Sequence, residues 1–143
     1  MLKDSFGRVI NNLRISVTDR CNFRCVYCMP AHGMKWLDKK NILSFEEIFR
    51  ITRIFSELGI TRLRLTGGEP LLRKELSSLI RMLSGIEKID DISLTTNGYF
   101  LDEQAGFLYG AGLKRINISL DSLYSESFST VTRRDYYEDV RKG

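Results

Sequence analysis

Apolar positions along this chain follow two periods in turn. From Leu13 to Val17 they alternate strictly with polar ones, and the same period of two returns at Arg62–Thr66, Ile92–Thr96 and Arg115–Leu120; each stretch predicts a strand. Between the strands the spacing lengthens. Ser44-Phe45-Glu46-Glu47 is a capping box, after which Ile48, Ile51, Phe55 and Leu58 recur at helical spacing until Gly59 ends the run. Leu76, Leu79, Ile80 and Leu83 predict a second helix. Asp102 is expected to cap a third running through Leu108 and ended by Gly110 and Gly112. The tail from Tyr124 to Gly143 is polar, and only Tyr136–Lys142 reads as part of a further helix. Strand and helix in alternation predict a parallel sheet with right-handed crossovers.

A parallel sheet covered on both faces should read as near-continuous apolar residues, yet these strands alternate. Leu13, Ile15 and Val17 share a face with Leu63 and Leu65, Ile92 and Leu94, and Ile116, Ile118 and Leu120. That row is expected to meet the helices. The other face gathers Arg14, Ser16, Thr18, Arg62, Arg64, Thr66, Ser93, Thr95, Asn97, Arg115, Asn117, Ser119 and Asp121. Buried arginines on adjacent strands need anions. The expectation is therefore an α/β fold, an incomplete (βα) barrel of four parallel strands with helices on the outer face and one domain over residues 1–143. Its polar concave side would bind an anion, with Arg14 and Arg64 converging there, and its chemistry would sit at the C-terminal strand ends. A sheet whose second face lies in solvent is the plainer alternative.

Composition narrows the class. With 143 residues, 43% apolar and 28% charged, disorder, collagen and coiled coil are excluded. No apolar run reaches membrane-spanning length and Met1-Leu2-Lys3-Asp4 is no signal peptide, so a cytoplasmic protein with no membrane partner is expected. A net charge of +4 suits an anionic small ligand. The basic pairs Arg73-Lys74 and Arg133-Arg134 are isolated and have no aromatic platform, so no nucleic-acid partner is expected.

All three cysteines fall in Cys21-Asn22-Phe23-Arg24-Cys25-Val26-Tyr27-Cys28, directly after the first strand. Three soft ligands on one loop can hold a metal or cluster and leave one coordination position open. Zinc, with His32 as a fourth ligand, and free packing thiols are the alternatives. Thr66-Gly67-Gly68-Glu69-Pro70 ends the second strand. Its paired glycines are expected to let a ligand approach the backbone, and Glu69 to accept from an amine. Thr95-Thr96-Asn97-Gly98 and Ser119-Leu120-Asp121 add small polar groups at the next two strand ends.

The C-x3-C-x2-C spacing, the aromatic before its last cysteine and the Gly-Gly-Glu-Pro one βα unit later resemble the radical S-adenosylmethionine (SAM) enzymes. Asp4-Ser5-Phe6-Gly7-Arg8, Leu13 to Cys25, Cys28-Met29-Pro30, Leu65 to Arg73, Thr95 to Gly98 and Asn117 to Asp121 are together similar to the GTP 3′,8-cyclase family of molybdenum-cofactor biosynthesis. The resemblance implies a lyase that rearranges GTP to a 3′,8-cyclised intermediate through a 5′-deoxyadenosyl radical. It makes Cys21, Cys25 and Cys28 ligands of a 4Fe-4S cluster whose fourth iron takes SAM. Tyr27, Gly68 and Ser119 match its SAM-binding positions, with Gly67 and Glu69 in the same loop; Arg14, Arg64 and Thr95 match its GTP-binding positions. An external electron donor, and a homodimer in the full-length family, are implied as partners. The family continues with further strands and a second cysteine trio. The chain is accordingly expected to be an N-terminal portion ending inside the fourth helix, with little or no turnover by itself.

Overall fold

The computed structural model describes residues 1–143. A short antiparallel pair opens the chain, β1 (Leu2–Lys3) against β2 (Val9–Ile10). Then follow β3 (Asn12–Ser16), α1 (Phe45–Glu57), β4 (Arg62–Thr66), α2 (Leu76–Ser84), β5 (Asp91–Thr96), α3 (Leu101–Gly110), β6 (Arg115–Ile118), α4 (Ser125–Thr132) and α5 (Tyr137–Lys142). The four longer strands form one parallel sheet in the order β3-β4-β5-β6. This is the expected α/β arrangement, with each strand joined to its neighbour through a helix or loop layer.

Register confirms the two faces. Arg14 pairs with Arg64, Arg64 with Ser93 and Ser93 with Arg115, while Leu65 pairs with Leu94 and Leu94 with Ile116. Leu63, Leu65 and Leu94 are wholly buried, in one cluster with Ile48 of α1, Leu79, Ile80 and Leu83 of α2, and Leu101 and Leu108 of α3. The capping box forms as expected: the Glu47 backbone N–H donates to Ser44 Oγ at 3.2 Å and the Ser44 N–H to Glu47 Oε2 at 2.7 Å.

Four expectations change. Phe100, not Asp102, stands at the start of α3; Asp102 and Glu103 lie in its first turn, where a negative charge favours the helix dipole. The polar tail holds α4 as well as α5, and Phe128 of α4 is fully buried. A few apolar residues among serines and threonines carry too weak a helical period to predict it. The apolar row does not stay covered to the edge: Ile116, Ile118 and Leu120 are each more than a third exposed. Finally, the arginines are not buried. Arg14 is exposed and Arg64 half-buried, because no second layer lies over the polar face within these residues.

Candidate active site at the strand ends

The cysteine loop leaves β3 and is held chiefly by backbone carbonyls. Arg24 Nη1 donates to the carbonyls of Cys21 and Phe23, both at 2.7 Å. Cys28 and Met29 both donate their N–H to the Cys25 carbonyl, at 2.9 and 3.1 Å. The far end of the chain pins the loop from outside. Arg24 N–H donates to the Thr132 carbonyl at 3.1 Å and Val26 N–H to that of Val131 at 2.9 Å. In return Arg133 Nη1 donates to the carbonyls of Arg24 and Met29, and Arg134 Nε to that of Asn22 at 2.8 Å. Phe23 anchors the loop by packing with Phe128 and Val140, and Cys21 and Cys25 lie against that cluster.

All three thiols are free; Cys21 and Cys25 are half-buried and Cys28 is exposed. Burial pushes the Cys21 and Cys25 thiols above their ordinary range, with the charges of Glu69 and Asp121 adding to it respectively. Without a metal they hold their protons, and metal binding must release them. Tyr27 donates its hydroxyl to Asp121 Oδ1 at 2.9 Å. Partial burial and that carboxylate raise its ionisation well beyond the usual phenol range, so it stays a neutral donor. This one contact joins the cysteine loop to the end of β6.

The glycine pair makes room within the chain itself. A Cβ on Gly68 would stand 2.3 Å from the Arg20 carbonyl oxygen, and one on Gly67 would stand 2.4 Å from that of Thr18. The close approach is made by the chain's own backbone, the stretch leading into Cys21. Two hydrogen bonds fasten it: Gly68 N–H to the Thr18 carbonyl at 2.8 Å and Glu69 N–H to the Arg20 carbonyl at 2.7 Å.

Glu69 is likewise committed inside the protein. Its carboxylate accepts from Leu71 N–H at 2.9 Å, Thr96 Oγ1 at 2.7 Å and Asn97 N–H at 2.7 Å, and the residue is 1% exposed. Burial raises its ionisation while these three donors pull the other way. A ligand amine would find no exposed oxygen there. Glu69 instead ties the end of β4 to the end of β5.

On the polar face, Arg14 Nε reaches Thr66 Oγ1 at 3.3 Å. Arg64 keeps its Nε buried with no acceptor. Thr95 is half-buried opposite Asn117 of β6, and Ser119 is exposed just beyond that strand, its N–H on the Thr96 carbonyl at 2.8 Å. A cavity of about 670 Å³ adjoins Thr18, Asp19 and Arg20 on the α1 side but includes none of the cysteines and no residue of the polar strand face beyond Thr18. Asn22, Arg133 and Arg134, which hold the loop, carry no motif that spacing alone could have singled out.

The donor set fits an iron–sulfur cluster. Its three free thiols share one loop, and a cluster gives each thiolate its own iron. The model of the radical SAM superfamily matches residues 15–143. The chain belongs to the radical SAM superfamily.

The cofactors of this radical SAM family are a 4Fe-4S cluster and SAM. Among relatives, a protein of Thermodesulfovibrio yellowstonii described as GTP 3′,8-cyclase is 53% identical over 143 residues, 99% of this chain and 44% of its own length. A Campylobacter jejuni protein of the same description is 50% identical over 100% of this chain and 45% of its own. This radical SAM chain thus spans less than half the length of these relatives. In fold it is similar to Streptococcus suis SuiB bound to the precursor peptide SuiA, with TM-score 0.66 and 22% identity over 85% of this chain and 26% of that one. It is also similar to BtrN in complex with AdoMet and 2-DOIA, with TM-score 0.61 and 20% identity over 94% of this chain and 55% of that one. These likenesses bear out the partial α/β barrel.

Proposed function

We propose that these residues form the cluster-bearing and SAM-binding part of a GTP 3′,8-cyclase, which rearranges GTP in the synthesis of the molybdenum cofactor. The observation that carries this is the similarity of about half of all positions, along the entire chain, to proteins described by that activity. Cys21, Cys25 and Cys28 would hold the cluster, which together with SAM supplies radical chemistry once an external donor has reduced it. Tyr27, Gly67, Gly68 and Ser119 lie around the same rim and would seat SAM. Gly67 and Gly68 would do so through backbone that Glu69 and the Thr18–Arg20 stretch hold in place, a positioning role for Glu69.

Arg14, Arg64 and Thr95 would take GTP on the polar face. Arg64 supports this most: a guanidinium with a buried, unpaired N–H on that face is matched by a phosphate, whose oxygens suit its planar fork. Residues beyond these would complete the pocket and exclude water from the reacting sugar. The test is GTP binding by calorimetry in a protein of the relatives' length carrying this segment. Arg64→Ala should weaken binding by about 1.5 to 3 kcal/mol while leaving the iron content and cluster spectrum unchanged. Unchanged affinity would remove Arg64 from the substrate site.

A further inference from the structure

Arg73 follows the Gly67–Pro70 loop closely, and its guanidinium is committed to the protein's own backbone. No carboxylate pairs with it. Nη1 donates to the Val17 carbonyl at 2.5 Å and Nη2 to the Leu43 carbonyl at 2.6 Å. The ring of Phe45, the first residue of α1, lies against the same group, its centroid 4.6 Å from Cζ.

The two carbonyls mark the two ends of one excursion. Val17 directly follows β3, Leu43 stands two residues before α1, and all three cysteines lie in the chain between them. Neither carbonyl receives a backbone N–H, because beyond Thr66 the Gly68 N–H goes to the Thr18 carbonyl instead. Val17 is wholly buried, where an unmet carbonyl is costly. One planar fork meets both acceptors at once. A second tie runs the same way, from the Leu37 N–H to Asp19 Oδ2 at 2.6 Å. Arg73 is itself joined to the glycine loop, since its N–H donates to the Pro70 carbonyl at 3.0 Å. The way into the cysteine loop, the way out of it and the Gly67–Pro70 loop therefore meet at a single side chain.

We propose that Arg73 is a positioning residue that sets the cysteine loop, and with it the cluster, against the SAM seat at Gly67 and Gly68. The proposal rests on the reading of Cys21, Cys25 and Cys28 as cluster ligands and of the glycine loop as that seat. A ligand that bridges two loops gains affinity when their separation is set before it arrives. The inner shape of the cysteine loop comes from Arg24, Arg133 and Arg134, so iron uptake should not depend on Arg73.

The test uses a protein of the relatives' length carrying this segment, as wild type and as Arg73→Lys, Arg73→Ala and Ile80→Val. Each is reconstituted anaerobically with iron and sulfide, and iron content, thermal unfolding and SAM affinity by equilibrium dialysis are measured. Ile80 is buried in α2 and takes no part in the site, so Ile80→Val lowers stability and should bind SAM as wild type does. Lysine keeps the charge without the fork. Both Arg73 variants should hold the iron of wild type and bind SAM about tenfold more weakly, the weight of one hydrogen bond to a charged group. SAM affinity equal to wild type in either Arg73 variant would overturn the proposal, as would an equal loss of affinity in Ile80→Val. Iron lost together with Arg73 would overturn it too, by making the loop's own shape depend on this side chain. An Arg73→Lys protein that fails to fold would reduce Arg73 to a determinant of the fold. Wild-type protein that takes up no iron, or binds no SAM once loaded, would overturn the cyclase reading itself, and this proposal with it.

Discussion

The two loops that build the site are held by opposite means. The Gly67–Pro70 loop is fastened from within: Glu69 is buried and collects three donors, and glycines let the preceding backbone lie against it. The Cys21–Cys28 loop leaves a thiol in solvent and draws its order from distant chain, the Thr132–Arg134 turn after α4. Within the loop Arg24 and Phe23 give their side chains to its order, while the cysteines do not. Its neighbours hold it by the backbone, and the sulfurs stay available. The difference predicts that damage to the first loop unfolds the protein, whereas damage to the thiols of the second removes the cofactor and spares the fold.

The largest effect is expected at Glu69. Glu69→Ala leaves the Leu71 and Asn97 N–H groups and the Thr96 hydroxyl without their acceptor, and should cost about 4 kcal/mol in urea unfolding. Titration gives a second reading of the same site. Burial raises the folded-state ionisation of Glu69 above its unfolded value, so its contribution to stability is fully present below the unfolded value, about 4.3. It declines as pH rises through the higher folded value. Glu69→Gln has no such proton, so wild-type stability relative to this variant should fall as pH rises across that window; a constant difference would show that burial does not govern the group.

Gly68→Ala comes next. Its methyl would overlap the Arg20 carbonyl carbon at 2.6 Å as well as the oxygen, and neither can move without breaking the Gly68 and Glu69 hydrogen bonds. About 3 kcal/mol is expected from thermal or urea unfolding, together with weaker SAM binding in the reconstituted protein. Arg134→Ala removes one hydrogen bond from the Asn22 carbonyl. It should cost about 1 kcal/mol and increase hydrogen exchange at Arg24 and Val26, while Gly68 and Glu69 stay protected. The smallest change is Cys28→Ser. Because Cys28 is exposed, stability should stay within about 0.5 kcal/mol of wild type, even as cluster uptake falls.

Much of this architecture is legible in the sequence because period and face are local signals. The strict alternation in β4 and β5 places Leu63, Leu65 and Leu94 in the core without any knowledge of partners. The same alternation fails at β6, whose Ile116 and Ile118 remain exposed: a strand's pattern states which face is apolar and not whether anything lies over it. The cysteine spacing marks the loop, but its supports lie more than a hundred residues away at Arg133 and Arg134. No local pattern predicts that reach. Gly67, Gly68 and Glu69 are visible as a motif while their task is not, since a glycine makes equal room for a ligand and for a neighbouring backbone. The packing of Thr18–Arg20 against them is a task that the motif alone does not show.

The proposed function requires Cys21, Cys25 and Cys28 to present three sulfurs to a cluster with an open iron. Anaerobic reconstitution with iron and sulfide, followed by electron paramagnetic resonance of the reduced protein with and without SAM, tests it most directly. The predicted result is an oxygen-labile cluster whose reduced signal changes when SAM is added, and which is lost in variants with each cysteine replaced in turn. Tight stoichiometric zinc on the same cysteines, with no paramagnetic signal after reconstitution, would contradict it.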